Sequence, residues 1–395
     1  ISGDSTLDMT ISQERKQSVV DRLFKGVQQL VSSKNIWLYD GEAQMTGDRT
    51  IAVQTKEGDD ISLSAEHVIL ATGSKPRELP GFPIDGDLII GSDQVLELTQ
   101  LPAHAAIIGG GAIGCEFASM LTDLGTQVTI LESAERLIPG ADPDIAKSLQ
   151  RAFKKRGIRT ITNATLGGQT LLDTGVTVHL SDGTDIDVEK VIVSVGRMAL
   201  SEGLGLENTT VEVDSEGCVV VDQYCRATAS GVYAVGDLIA TPQLAHVGFA
   251  EAMLAVQNIR DEKASSINYE RTAWAIYCHP EVAYAGLTET QAHEAGLEIV
   301  VSKHRFIGNA RAAIHGENEG MVKVIAERRI DGKAGRILGV HLIGPWVTEQ
   351  LSQGYMAINW ELEIDQISKF IQPHPTFSEV FGEAVLELAG RTLHG

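Results

Sequence analysis

Residues 105–133 read AAIIGGGAIGCEFASMLTDLGTQVTILES: an apolar run, a glycine-rich turn, a helix-length stretch and a second apolar run that closes on an acid. This is the pattern of one βαβ unit, in which a strand covered on both faces is apolar throughout and a helix carries the chain back to a parallel neighbour. The turn fits G-x-G-x-x-G as Gly109-Gly110-Gly111-Ala112-Ile113-Gly114. In that arrangement the first glycine allows the tight turn, the second admits a pyrophosphate close to the backbone, and the third lets helix and strand pack closely. The helix N-terminus adds partial positive charge toward the phosphates. Glu132 ends the second strand, where a carboxylate accepts from the adenosine ribose 2′-OH and repels a 2′-phosphate, so NAD is expected rather than NADP. A loop serving strand-to-helix packing alone would need the strand, the helix and the acid to coincide by chance.

Working outward, a second helix is expected at residues 143–156, followed by a strand meander that closes on EKVIVSVGR at 189–197. An earlier meander closes in the same way on EHVILATGS at 66–74, which aligns Gly73 with Gly196. The match is a weak internal duplication, and it predicts two dinucleotide-binding domains of one three-layer ββα design, the second inserted into the first. The expected division is residues 1–100 with 222–265 for the outer domain and 101–221 for the inserted one. From 266 to 395, alternating strands (MVKVIAERR, RILGVHLIG) mix with helices (TETQAHEAG, VTEQLSQGYMAINWE), which reads as a separate α+β domain. Residues 12–33 place Val19, Val20, Leu23, Val27, Leu30 and Val31 at helical spacing, so an amphipathic packing helix is expected there.

Composition narrows the function. The chain has 395 residues, 43% hydrophobic and 22% charged, enough for two or three domains with cores. Its 32 basic against 53 acidic residues give a net charge of −21, which argues against a sequence-independent grip on nucleic acid or on an anionic membrane. No run approaches the ~18 apolar residues of a membrane span, so a soluble protein of the cytoplasm or an organelle matrix is expected. Cys115, Cys218, Cys225 and Cys278 fit neither a disulfide framework nor a zinc pattern, and a reducing compartment is expected with no metal site.

Three further groups carry chemistry in outline. Gly236-Asp237 follows the apolar run Val232–Val235 and sets a carboxylate at a sheet's C-terminal edge. There it accepts from sugar or ribityl hydroxyls, or it caps the next helix; both readings stand on these residues alone. Thr72-Gly73-Ser74 is ordinary turn chemistry by itself. In His374-Pro375-Thr376-Phe377-Ser378-Glu379 a helix is expected to start near Thr376, and the spacing lets the carboxylate fold back onto one imidazole nitrogen, leaving the other to exchange a proton. Most His–Glu pairs at this separation are accidental surface neighbours.

Taken together and in order, VILATGSKP, IIGGGAIGCEFA, VTILE, VIVSVGR, GVYAVGD with QLAHVG, PEVAYAGLTE, NARA, GVHLIGP and HPTFSE resemble the class I pyridine nucleotide–disulfide oxidoreductases, and most closely their dihydrolipoyl-oxidising branch. The resemblance spans essentially the whole chain. It implies a homodimeric flavoenzyme that oxidises the dihydrolipoyl group of a lipoyl-bearing acyltransferase or carrier protein, in a 2-oxoacid dehydrogenase or glycine cleavage complex, passing electrons through a redox disulfide and FAD to NAD. By the same resemblance Thr72, Gly73 and Ser74 line the FAD site, Asp237 meets the ribityl chain, and Gln243, Leu244, Ala245 and His246 lie near the flavin ring. Gly109 to Gly114 and Glu132 hold NAD with Gly196 beside it, and Glu116 faces the flavin. His374 is the implied acid–base catalyst, oriented by Glu379 and reaching the partner subunit's active site.

The family pattern also opens with its own G-x-G-x-x-G unit, a C-x-x-x-x-C redox pair and a nearby lysine, and none of these occurs in the 395 residues. The expectation is a fragment lacking that N-terminal segment and inactive in dithiol oxidation as it stands. Met198-Ala199 also departs from the Pro-Asn pair more common there. Two alternatives remain: a related flavin oxidoreductase that works without the disulfide, and a non-catalytic NAD-binding scaffold.

Overall fold

The computed structural model describes residues 7–394 and separates into two compact units. One consists of Ile1–Arg77 with Gly196–Tyr269, the other of Glu78–Val195 with Glu270–Gly395.

The second unit holds the decisive βαβ stretch. Five parallel strands run in the order Ile89–Ile90, Lys190–Val193, His104–Ile108, Gln127–Leu131 and Arg159–Ile161. Side chains alternate across the sheet because successive residues of a strand point to opposite faces. Ala105, Ile107, Val128, Ile130 and Ile192 pack on Leu121, Leu149 and Phe153 of the helices Ala112–Asp123 and Pro143–Lys155. Ala106, Ile108, Leu131, Val191 and Val193 pack on the antiparallel meander Leu166–Leu172, Gly175–Leu180 and Asp185–Val188. The result is a Rossmann-like domain of three layers, ββα.

The chain from 270 onward in this unit builds a five-stranded antiparallel sheet, ordered Trp274–Ile276, Glu281–Gly286, Ala334–Gly344, Met321–Arg328 and Ile299–Arg305. Val322, Val324, Val340 and Leu342 face the helices Val347–Asn359 and Glu379–Leu388. Ile276, Val282, Tyr284 and Ile343 face the opposite way and join the core of the Rossmann-like half, against Ile138, Ala141 and Ile145.

The first unit repeats the plan with fewer strands. A meander of Gly41–Gly47, Thr50–Thr55 and Asp60–Ser64 accompanies a parallel pair, Val68–Leu70 with Val232–Ala234, and the helix Ala245–Ile259. Met45, Val68, Leu70, Val232, Ala234 and Leu254 form its core. The Met9–Ser33 helix is present as expected, yet none of its residues is buried, so it is no packing helix here.

Two junctions differ from the sequence-based division. Residues 78–100 go with the second unit because Ile89–Ile90 pairs with Lys190–Val193, and residues 196–221 go with the first because Arg197–Ala199 pairs with Ser74–Pro76. The final helix begins at Glu379 rather than near Thr376. The aligned glycines of the duplication agree in conformation: Gly73 has φ +73° and Gly196 φ +105°, both in the region open to glycine.

Candidate functional site

The glycine turn is built by close approach. Gly109 has φ +107°, and Gly114 sits so near the turn that a Cβ there would lie 2.0 Å from the Gly109 carbonyl oxygen. Any larger residue at 114 would push the Ala112–Asp123 helix off the strand. Nothing lies within 4 Å of where a Gly111 Cβ would be, so the backbone faces open space at that point. Gly111 is the N-cap of the helix and offers no side chain to its first N–H groups, Ala112, Ile113 and Gly114 among them. This open, donor-rich turn fits a pyrophosphate.

Glu132 is buried at 7% exposure, and its carboxylate is fixed from both sides. The Gly110 N–H donates to Oε2 at 2.6 Å and the Ala134 N–H to Oε1 at 2.7 Å. Ser133 Oγ also donates to Oε1 at 3.3 Å, so Oε2 is the oxygen that keeps a second lone pair for a hydroxyl. A buried fixed anion at this strand end opposes a 2′-phosphate and suits a free ribose diol.

Glu116, one turn into the same helix, accepts from the Tyr277 N–H at 2.8 Å, and burial pushes its carboxyl up despite that bond. The neighbouring Cys115 is fully buried with its Sγ 3.4 Å from the Gly110 carbonyl, and burial raises its thiol well above the usual range. Burial likewise takes Cys278 to about 12. These are packed thiols, unsuited to nucleophilic work.

In the first unit, Asp237 stands at the end of strand Val232–Ala234, half-buried, and Ser74 Oγ donates to its Oδ2 at 2.6 Å. Arg197 completes the group: its Nε donates to Ser74 Oγ at 2.6 Å and its Nη2 to the Ser74 carbonyl at 2.8 Å. Nothing local marks Arg197 in the sequence beyond its place next to Gly196, because its partner Ser74 is 123 residues away. Thr72 Oγ1 donates instead to the Leu200 carbonyl at 2.8 Å. Gly236 has φ +70°, and its N–H donates to the fully buried Glu251, whose other oxygen accepts from Thr241 Oγ1 and Tyr269 Oη. Glu251 therefore holds the turn that presents Asp237; its signal is an acid within the largely apolar stretch VGFAEAMLAV at 247–256. Gln243 and Leu244 lead into that helix, and Ala245 and His246 form its exposed first turn. The structure thus brings Ser74 and Asp237 together, whereas Glu116, Glu132 and the glycine turn belong to the other unit.

His374 and Glu379 meet as expected, with Nδ1 and Oε1 2.9 Å apart. The other carboxylate oxygen accepts from the Thr376 N–H at 2.8 Å, and Asn309 Nδ2 ties the Thr376 carbonyl at 2.9 Å. The imidazole is 70% exposed while Glu379 is 22% exposed, so a held carboxylate presents a free-standing ring. Among the described residues no cluster of three or more His, Cys, Asp or Glu suits a metal ion, and no helix is long and apolar enough to cross a membrane.

Comparison with known proteins matches the family "Pyridine nucleotide-disulphide oxidoreductase" over residues 6–252 and its dimerisation domain over 272–385. The chain belongs to the pyridine nucleotide-disulphide oxidoreductase family. A dihydrolipoyl dehydrogenase of Bacillus subtilis (strain 168) is 38% identical over 97% of this chain and 82% of its own length. A leghemoglobin reductase of Glycine max is 34% identical over 94% of this chain and 71% of its own. Among solved structures, LpdA of Mycobacterium tuberculosis superposes with a TM-score of 0.90 at 25% identity, covering 98% of this chain and 84% of that one. The HOCl-induced flavoprotein disulfide reductase RclA of Escherichia coli gives 0.88 at 26% identity, covering 96% and 86%. As a member of the pyridine nucleotide-disulphide oxidoreductase family, the chain is of the NAD-dependent flavoprotein type.

Proposed function

We propose that this protein is a dihydrolipoyl dehydrogenase, a homodimer that oxidises the dihydrolipoyl group of a lipoyl-bearing partner protein in a 2-oxoacid dehydrogenase or glycine cleavage complex and reduces NAD. The observation that carries the reading is the His374–Glu379 pair. A carboxylate at Nδ1 accepts the proton held there and leaves Nε2 turned outward to take or give another. A dithiol becomes a competent nucleophile once a base takes its proton, and an exposed, oriented imidazole on the dimerisation domain suits that task across a subunit boundary. FAD and NAD, when bound, supply the two-electron chemistry between thiols and nicotinamide. On this reading the first unit holds FAD through Thr72, Gly73, Ser74, Asp237 and the Gln243–His246 backbone. The second holds NAD through Gly109 to Gly114 and Glu132; for Gly196 and Glu116 the family resemblance alone supports roles in nucleotide and flavin binding. The four thiols are all free, which supports a reducing compartment, the cytoplasm or the mitochondrial matrix.

Exchange with a dithiol also needs a vicinal cysteine pair, and Cys115, Cys218, Cys225 and Cys278 do not form one. The test therefore joins this chain to the part of the Bacillus subtilis relative that lies outside the match. In that protein His374→Gln is expected to slow dihydrolipoamide oxidation roughly 10²- to 10⁴-fold while sparing electron transfer from NADH to a dye. Equal loss of both activities would remove His374 from proton transfer. The packed state of all the buried thiols favours one second reading, an NADH-driven flavin reductase that uses no disulfide. Dye reduction by the 395-residue chain with added FAD would support it.

A further inference from the structure

A row of side chains runs laterally across all five strands of the dimerisation-domain sheet. Trp274 lies opposite Tyr284, Tyr284 opposite His341, His341 opposite Lys323, and Lys323 opposite Lys303. The three rings stack with centroids 5.8 and 6.0 Å apart. Beside them Lys323 is 1% exposed, and its Nζ donates to both oxygens of Asp142 at 2.8 and 2.9 Å, to Asp144 at 2.8 Å and to Glu289 at 2.6 Å. A buried ammonium loses its hydration, and apolar residues of similar volume often stabilise such a site as well or better. What the lysine holds is therefore more informative than its bulk.

It holds the end of a loop. Asp142 caps the Pro143–Lys155 helix and terminates residues 133–141, which follow Glu132 directly. That loop is strained: Ile138 has φ +41°, in a region β-branched residues avoid, and is 3% exposed. Such strain persists where the surroundings over-determine it, and it clusters at functional sites. Ile138 uses its conformation to donate its N–H to the Gly110 carbonyl at 2.7 Å. Leu137 comes so close that a Cβ on Gly110 would lie 2.5 Å from its Cδ2. The loop is thus the outer wall of the glycine turn. Its near end is pinned by Glu132 and by the Asn163 N–H on the Ala134 carbonyl at 2.9 Å, its far end by Asp142 on Lys323, and Gly140 passes the Tyr284 hydroxyl.

We propose that Lys323, in the dimerisation domain, is a positioning residue for nucleotide binding, holding the strained 133–141 loop against the glycine turn through Asp142. The proposal rests on the reading of that turn as the NAD site. Mutations along such a coupling network shift binding by a factor of roughly 2 to 30.

The test measures NADH binding by titration calorimetry to the full 395-residue chain and to Lys323→Met, Lys323→Arg and Val385→Ala. Val385, 1% exposed, lies in the core on the other face of the same sheet and serves as a stability-matched control. Lys323→Met is expected to weaken NADH roughly tenfold, Lys323→Arg to recover most of that, and Val385→Ala to stay within about twofold at a similar loss of Tm. Equal weakening in Val385→Ala, or unchanged affinity in folded Lys323→Met, overturns the proposal. If Lys323→Met does not fold, Asp142→Asn weakens the same link while keeping a good helix cap, and a shift of about two- to threefold is expected; none at all overturns the proposal equally. Failure of the unsubstituted chain to bind NADH would instead sink the NAD reading, and the proposal with it.

Discussion

The Met9–Ser33 and Ala112–Asp123 helices differ in what meets them. The shorter helix buries Gly114, Cys115, Phe117, Ala118, Ser119 and Leu121, with Cys115, Phe117, Ala118 and Leu121 in a core that also takes residues from both five-stranded sheets. The longer one, with Val19, Val20, Leu23, Phe24, Val27 and Leu30, buries nothing, and each of those side chains is exposed. Local devices support it: Asp8 accepts from the Thr10 and Ile11 N–H groups, and Gln17 donates to Asp21 one turn on. An apolar stripe states what a helix can bury, and only a partner surface turns that into stability.

The comparison is most easily broken by truncation. Leu121→Ala, at a fully buried site, is expected to cost about 2–5 kcal/mol. Leu23→Ala, at a side chain 64% exposed, is expected to stay within about 0.5 kcal/mol. Denaturant unfolding followed by circular dichroism measures both. A large loss from Leu23→Ala would mean that the longer helix packs in solution.

Glycines sharpen the same contrast. Gly114→Ala would set a Cβ 2.0 Å from a carbonyl oxygen, and overpacking of this kind is expected to cost about 1–3 kcal/mol together with NADH affinity. Gly26 lies in the longer helix with nothing within 4 Å of the added atom, so Gly26→Ala is expected to gain up to about 1 kcal/mol from helix propensity. Opposite signs from one substitution type would show that context, not glycine itself, decides.

How much the sequence disclosed follows the range of the interactions. The βαβ unit, its turn and Glu132 were legible because strand, turn and helix are contiguous, and the His374–Glu379 pair because five residues of chain bring the groups together. The ends of the units were not legible, since pairing of Arg197–Ala199 with Ser74–Pro76 joins strands more than a hundred residues apart. Arg197 on Ser74, and Lys323 on Asp142, are contacts of that same long range. Lys323 did leave a trace, a charge between Val322 and Val324 on a strand whose neighbours are fully buried, but nothing local says which carboxylates answer it.

The last prediction compares how the two units meet acid. In the second unit, burial would raise Asp144, but hydrogen bonds and charge from Lys303 and Lys323 outweigh it and hold the carboxyl at about 2. Burial lowers His341 in the same row, against the opposing pull of the Leu287 carbonyl. Each binds a proton less readily folded than unfolded, so each contributes stability at neutral pH that is lost on acidification. His341 acts first, as pH falls below its ordinary value of 6.5, and Asp144 follows between 3.8 and about 2. In the first unit, burial pushes Cys225 up to about 12 and also raises Tyr269, so that contribution is present below their ordinary values and fades as pH rises through them. One proton changes the unfolding free energy by at most about 1.4 kcal/mol per pH unit, which sets the scale for His341. Calorimetric unfolding at pH 7.5 and 5 is therefore expected to lower the transition of the second unit, and His341→Gln, which keeps a neutral donor for Leu287, is expected to flatten that dependence. A transition that falls equally in His341→Gln would place the acid sensitivity elsewhere, and one that does not move at all would mean the imidazole is as free to protonate folded as unfolded.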